Sequence, residues 1–317
     1  DGFPADSVLS LTTIGSTLFA GTKNTGVYTS VDYGKSWMPM VMDNAFKNSP
    51  VWSMASLDTF LFVGLRGGGV FRTSLHGTVW EPMNNGIVKT SKIVQDIIAV
   101  GTKLYVATFG GGVLVSSDYG GSWSPLYEHQ GMDDRRIYSL TGNSKYLYAG
   151  TAGVNTTMPD TGVAFVTPHG GTSWQVINNG FVRNGAHLEG VFAMCATDSL
   201  VFAGTDDVGI FRSDNNGKEW KQIAGTNLNG DIHAIAMIGK NIFYGTLHGG
   251  IYSSDDSGMN FTSNRAGLSF QNTTIPYLVK DFTVVHDTIY AATSIGVFKQ
   301  TVPSAVSVVS QEQTAER

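Results

Sequence analysis

Cysteine is almost absent from this 317-residue chain: Cys195 stands alone, which excludes an intramolecular disulfide framework and any thiolate metal cluster within one chain. Charge is sparse as well, at 14% of residues, with 20 basic against 25 acidic side chains and a formal net charge of −5. No dense positive face is available for a phosphate backbone, so nucleic acid is not an expected partner. No apolar run reaches the length of a membrane-spanning helix, and no long apolar pattern of helical period occurs. Glycine is plentiful, at 39 residues, and apolar residues make up 42%. A turn-rich, charge-poor chain with ample apolar content points to many short strands rather than disorder or helices.

A short strand motif recurs seven times, as Leu18-Phe19-Ala20-Gly21-Thr22, Leu61-Phe62-Val63-Gly64-Leu65, Leu104-Tyr105-Val106-Ala107-Thr108, Leu147-Tyr148-Ala149-Gly150-Thr151, Val201-Phe202-Ala203-Gly204-Thr205, Ile242-Phe243-Tyr244-Gly245-Thr246 and Ile289-Tyr290-Ala291-Ala292-Thr293. Each copy follows another apolar run across a tight turn such as Gly15-Ser16, Asp58-Thr59, Gly239-Lys240 or Asp287-Thr288. A third strand opens with Gly and a β-branched residue, and a fourth begins at an aromatic: Trp37, Trp80, Trp123, Trp174, Trp220 or Phe261. One four-stranded meander cannot bury both of its faces alone, whereas seven arrayed around an axis can. The expectation is an all-β, seven-bladed β-propeller over residues 1–310, with 311–317 as a tail or linker. Blade seven lacks the aromatic, and its fourth strand is expected from Ser304 to Val309, with closure of the edge by the N-terminal segment as the alternative.

A second pattern repeats between strands three and four. It reads Ser30-Val31-Asp32-Tyr33-Gly34-Lys35-Ser36-Trp37 in blade one and Ser116-Ser117-Asp118-Tyr119-Gly120-Gly121-Ser122-Trp123 in blade three. Blade five carries Gly217 and Trp220 in the same frame, and blade six Asp256 and Gly258. Here a short carboxylate can accept amide hydrogen bonds from its own loop, Gly can take positive φ, and Trp can wedge between blades. This pattern resembles the Asp-box, or BNR, repeat. Blades two and four depart from it, with Leu75 and His169 in the Asp position. The resemblance implies the fold, and a structural role for Asp32, Asp118 and Asp256, on the rim that also holds the turns between strands one and two. It leaves function open, because similar boxes occur in sialidases, xyloglucan-cleaving glycosidases, sortilin-type peptide receptors and the photosystem II assembly factor.

Ligands are therefore expected on the opposite rim, where the loops between strands two and three meet the connections between blades. Candidate binding residues there are Arg66, Phe109, Arg135, Arg136, His187, Glu189, Asp206, Asp207, Asp231 and His248. Two insertions in and after blade four, Ala152 to Thr161 and Asn178 to Gly190, are expected to overhang one side of this mouth. Asp96, Asp231 and Asp281 are expected just before innermost strands, where they could approach the channel mouth, and supply further carboxylates, enough to keep a glycoside hydrolase or polysaccharide lyase as the alternative to a binding or scaffold propeller. Gly67-Gly68-Gly69 and Gly110-Gly111-Gly112 read as tight loops rather than phosphate cradles, since no helix or Lys-Ser pair follows. The seven His residues show no metal-binding spacing, so neither a metal nor a cofactor is expected. A monomer recognising a glycan or peptide, secreted or periplasmic, is the resulting expectation, and the non-Met start at Asp1 is compatible with a processed or trimmed end.

Overall fold

The computed structural model describes Phe3 and residues 6–41, 49–132, 134–155, 163–184, 187–223, 231–247, 249–263 and 278–302. Seven antiparallel meanders follow one another along the chain, six with four strands and the seventh with three among the described residues. The innermost strands are Val8–Ile14, Val51–Leu57, Val94–Val100, Ile137–Gly142, Val191–Ala196, Ile232–Ile238 and Val279–Val285. The second strands hold the recurring motif and are almost wholly buried, as in Phe60–Leu65 and Asn241–Thr246. Fourth strands are two-residue stubs directly after the aromatic, for example Met38–Pro39 after Trp37. The expected fourth strand of blade seven, and the tail, lie outside the described residues. The blade-seven turn falls one residue earlier than expected, at His286-Asp287, with His286 at φ +52°. Among the described residues no helix is long and apolar enough to cross a membrane.

The motif residues have distinct tasks. The Thr ending a second strand donates its hydroxyl to the Gly carbonyl before the third, as in Thr22 Oγ1 to Gly26 O (2.8 Å), Thr108 to Gly112 (2.9 Å) and Thr205 to Gly209 (2.6 Å). A buried hydroxyl and a buried carbonyl satisfy each other, which holds the upper loop short. Three of the Trp side chains join blades by hydrogen bonds, Trp80 Nε1 donating to Val41 O (3.0 Å), Trp123 Nε1 to Met83 O (2.9 Å) and Trp220 Nε1 to Ile177 O (2.7 Å), each acceptor belonging to the preceding blade. In the boxes, Asp32 accepts from the amides of Lys35 and Ser36 (3.0 and 2.9 Å) and from the hydroxyls of Ser30 and Ser36 (2.8 and 2.5 Å). Asp118 and Asp256 do the same in their own loops. These bonds favour the charged form, first through Ser122 at Asp118, whose carboxyl drops to about 2. Blade five keeps the geometry with neutral Asn215, which accepts from Ser213 Oγ and Glu219 N. The boxes share a rim with the turns between strands one and two: Tyr119 Oη donates to Asp58 (2.5 Å), and Ser257 N to Lys240 O (3.2 Å).

Every innermost strand carries a bulge at the same place. Val8 pairs with Thr22 and Ser10 with Gly21, so Leu9 is left over; the equivalent residues are Trp52, Gln95, Tyr138, Phe192, His233 and Lys280. The residue after the bulge ties neighbouring blades together. Ser10 Oγ donates to Val51 O (3.0 Å), and Ser139 Oγ to Val191 O (3.3 Å). Where that residue is an acid, it reaches a backbone amide instead: Asp96 accepts from Leu140 N (2.9 Å) and from Ser53 Oγ (3.0 Å), and Asp281 accepts from Leu11 N (2.8 Å), joining blade seven to blade one.

Candidate functional site

The seven bulge residues ring the upper end of an axial cavity of about 340 Å³, whose wall below them is made of inner-strand residues including Leu11, Asp96 and Asp281. A bulge frees one residue from the strand's alternation and re-aims its side chain, which explains why seven chemically unlike residues share one level. They pack as a band. Tyr138 stacks on Phe192 (centroids 4.8 Å apart) and Phe192 on His233 (5.7 Å, rings 8° from parallel). Lys280 Nζ lies 3.2 Å from His233 Nδ1 and 4.8 Å from the centre of the Trp52 ring, which also receives the Arg66 guanidinium at 4.8 Å. Gln95 Oε1 is buried and has no hydrogen-bond partner among the described residues.

None of the described loop residues expected to bind ligand lines the cavity itself, but Arg66, Phe109 and Asp231 touch the band at Trp52, Tyr138 and His233. Phe109 is 38% exposed and meets Tyr138 edge-on at 6.0 Å. Asp206, Asp207 and Asp231 bring carboxylate oxygens within 4.8 Å of one another, a spacing one divalent cation can span. Burial raises the Asp206 carboxyl to about 7, helped by a hydrogen bond with Asp231 and by repulsion from Asp231, Asp207 and Glu189. Asp231 Oδ2 in turn faces His233 Nε2 at 3.8 Å. Burial and the neighbouring Lys280 push His233 down to about 3, so the ring is neutral.

Other expectations resolve differently. Arg136 is engaged by Asp134 in a two-pronged ion pair (3.0 and 2.9 Å) and by Gly153 O (3.1 Å), while Arg135 is exposed and contributes its carbonyl to Gly110 N and Gly112 N. The described parts of the blade-four insertions pair with one another: Gly153–Asn155, His187–Glu189 and Arg183–Asn184 form a separate three-stranded sheet, with Gly153 opposite Glu189. His187 lies on its middle strand with its side chain outside the described set, as is His248. Asp96 and Asp281 do not point out of the mouth. They lie inside the innermost strands and cap a neighbouring blade's amide, with burial raising their carboxyls to about 6 and about 7. Cys195 is free, and burial drives its thiol to about 12, which leaves it inert.

The residues not anticipated are Trp52, Gln95, Tyr138, Phe192, His233 and Lys280. A signal for them exists in the repeats. The triplets Val51-Trp52-Ser53, Val94-Gln95-Asp96, Ile137-Tyr138-Ser139 and Val279-Lys280-Asp281 keep an apolar first residue and a small or acidic third, and only the middle one varies freely.

The family model described as BNR-Asp box repeat matches residues 210–223, which contain the blade-five turn. No curated protein matches the chain. Among solved structures, YCF48 bound to D1 peptide superposes with a TM-score of 0.72 at 14% identity, covering 95% of this chain and 94% of that one. The extracellular domain of BT4673 from B. thetaiotaomicron, assigned to a hybrid two-component system, gives 0.76 at 16% identity, covering 96% of this chain and 39% of that one. The GH74 xyloglucanase from Xanthomonas campestris gives 0.67 at 14% identity, covering 93% and 52%. This chain thus spans nearly the whole of the first and about half or less of the other two, and at such identities the likeness speaks for the fold alone. With its seven meanders the chain is a seven-bladed β-propeller, and the family match to the BNR-Asp box repeat is confined to the blade-five stretch 210–223.

Proposed function

We propose that this propeller is a binding module whose upper mouth receives a cationic segment of a peptide. The observation that carries the reading is the carboxylate group at the mouth. Asp206, Asp207 and Asp231 crowd together, with Glu189 adding to the repulsion, and Asp206 answers by holding a proton. A Lys or Arg side chain, or an amino terminus, would relieve the same repulsion with a charge-assisted hydrogen bond. The exposed Phe109 ring, edge-on to Tyr138 of the same band, offers apolar contact for the chain that bears the cation.

A polysaccharide fits the same surface less well. Sugar rings pack on open aromatic faces, whereas Tyr138, Phe192 and His233 stack on one another and Trp52 is covered by two cations. The hydrolase alternative needs carboxyl groups roughly 5–5.5 or 6.5–9.5 Å apart with the glycosidic bond between them. Asp206 and Asp231 are instead in mutual hydrogen-bond contact. One structural relative is named for a bound peptide and another as an extracellular domain, which supports both the ligand class and a secreted or periplasmic location.

Calorimetric titration of short peptides of graded charge, beside neutral oligosaccharides, tests the reading. A basic peptide is expected to bind, and Asp206→Asn to weaken it by roughly tenfold. Affinity is expected to rise from pH 6 to pH 8, because Asp206 loses its proton near pH 7 and the acceptor gains its charge. Oligosaccharide binding that ignores this substitution, or release of reducing ends from a glycan, would turn the assignment toward carbohydrate.

A further inference from the structure

Lys280 combines three features that the peptide reading does not use. It sits at the bulge of its strand and lines the axial cavity. Its amine is held between the Trp52 ring and His233 Nδ1. Among the described residues no carboxylate lies within ion-pair distance of it.

We propose that Lys280 is a reactive amine that forms an imine with a small aldehyde or ketone entering the axial channel, with His233 and Trp52 as positioning residues. His233 Nε2 lies 3.8 Å from Asp231 Oδ2, and in the neutral tautomer protonated at Nε2 the Nδ1 atom accepts one hydrogen from Lys280. Accepting that hydrogen fixes the rotation of the amine and aims its lone pair away from the ring. A nucleophile held by a ring that a third group orients is the arrangement nucleophilic sites share. The cavity of about 340 Å³ admits a carbonyl compound of several carbons.

The step balances without an outside oxidant or reductant. The ammonium first yields a proton to water. The nitrogen lone pair then attacks the carbonyl carbon, and a proton moves from nitrogen to oxygen to give the carbinolamine. The hydroxyl takes up a proton, the C–O bond breaks and water leaves as the nitrogen lone pair forms the C=N bond, and the remaining N–H proton is released to solvent. Burial already favours the neutral amine, lowering Lys280 to about 8; Arg66 lowers it further, while Asp231 and Asp281 oppose the change.

The test is reductive alkylation of the native full chain with butyraldehyde and cyanoborohydride, followed by peptide mass mapping over a range of pH. Lys280 is expected to react roughly tenfold faster at pH 7.5 than the exposed lysines, in keeping with its desolvation. Its rate should rise with a midpoint well below that of the other lysines. Arg66→Gln should move that midpoint up and Asp231→Asn should move it down, shifts that an accessible but uninvolved lysine would not show. Lys280→Arg should remove this single fast site. A native protein in which Lys280 stays unmodified while exposed lysines react, or reacts with their pH dependence, overturns the proposal. Neither result bears on peptide affinity, which is read separately through Asp206.

Discussion

Gly64→Val is expected to destabilise the protein by about 3 kcal/mol, because a side chain there enters space already filled by the next blade. A Cβ at Gly64 would lie 2.3 Å from Val94 Cγ1. The same clash recurs from Gly21 to Val51, from Gly204 to Ile232 and from Gly245 to Val279, each time at the recurring Gly of a second strand and the apolar residue before the next blade's bulge. The neighbour is a stiff, buried β-branched side chain on an innermost strand, so it cannot turn aside as a long surface chain would. Blades three and seven have Ala107 and Ala292 at this position, and these two stand opposite Asp96 and Asp281 rather than opposite Ser or Ala. Gly15→Ala serves as the comparison. Nothing lies within 4 Å of a Cβ at Gly15, and only its φ of +59° resists, at a cost of about 1 kcal/mol. Urea unfolding of both variants checks the argument; equal losses would mean that blade-to-blade contact at Gly64 is not close.

Stability is expected to fall as pH rises from 4 to 8, with Asp281 and Asp206 the main causes and His233, held neutral, opposing them below about pH 6.5. The Asp281 carboxyl stands near 7 in the folded protein, raised from 3.8 chiefly by burial and also by the Asp96 charge. Between these values the folded chain holds more protons than the unfolded one, so raising the pH favours unfolding across that window, by at most about 4 kcal/mol for this group. Asp96, near 6, adds in the same direction. Asp281→Asn keeps an oxygen for the Leu11 amide but cannot ionise, so its stability should change less with pH and should match or exceed the parent at pH 8. Asp281→Ala removes the acceptor and strands that amide. At pH 5, where the parent side chain is neutral, it should cost about 1–3 kcal/mol. Thermal or urea unfolding of the three proteins at several pH values reads all of this, and a parent curve that rises between pH 4 and 7 would contradict it.

The frame was legible because its signals are local and repeated. A Gly or Asp at a two-residue turn, a Thr closing a strand and a Trp opening the next recur in register, so each copy corroborates the others. The mouth was only half legible. Asp206, Asp207 and Asp231 could be chosen because they sit in connections between strands. Trp52, Tyr138, Phe192, His233 and Lys280 sit inside strands, where alternation assigns one face or the other, and a bulge defeats that rule by inserting one residue without changing the hydrophobic pattern around it. Asp96 and Asp281 misled for the converse reason. As acids near strand starts they resembled mouth residues, yet each reaches sideways to a neighbour's amide, a partner that no sequence separation reveals. The pairing of Gly153 with Glu189 is similar, since it joins two insertions far apart along the chain.

Because each leftover residue is excluded from its ladder's hydrogen bonding, its identity is decoupled from whether the ring assembles. Leu9, Gln95 and Lys280 differ in size, polarity and charge, yet occupy equivalent sockets on an unchanged scaffold. The seven sockets are in effect a small alphabet written around one axis. The chemistry of that band can be rewritten letter by letter while the architecture that displays it stays constant.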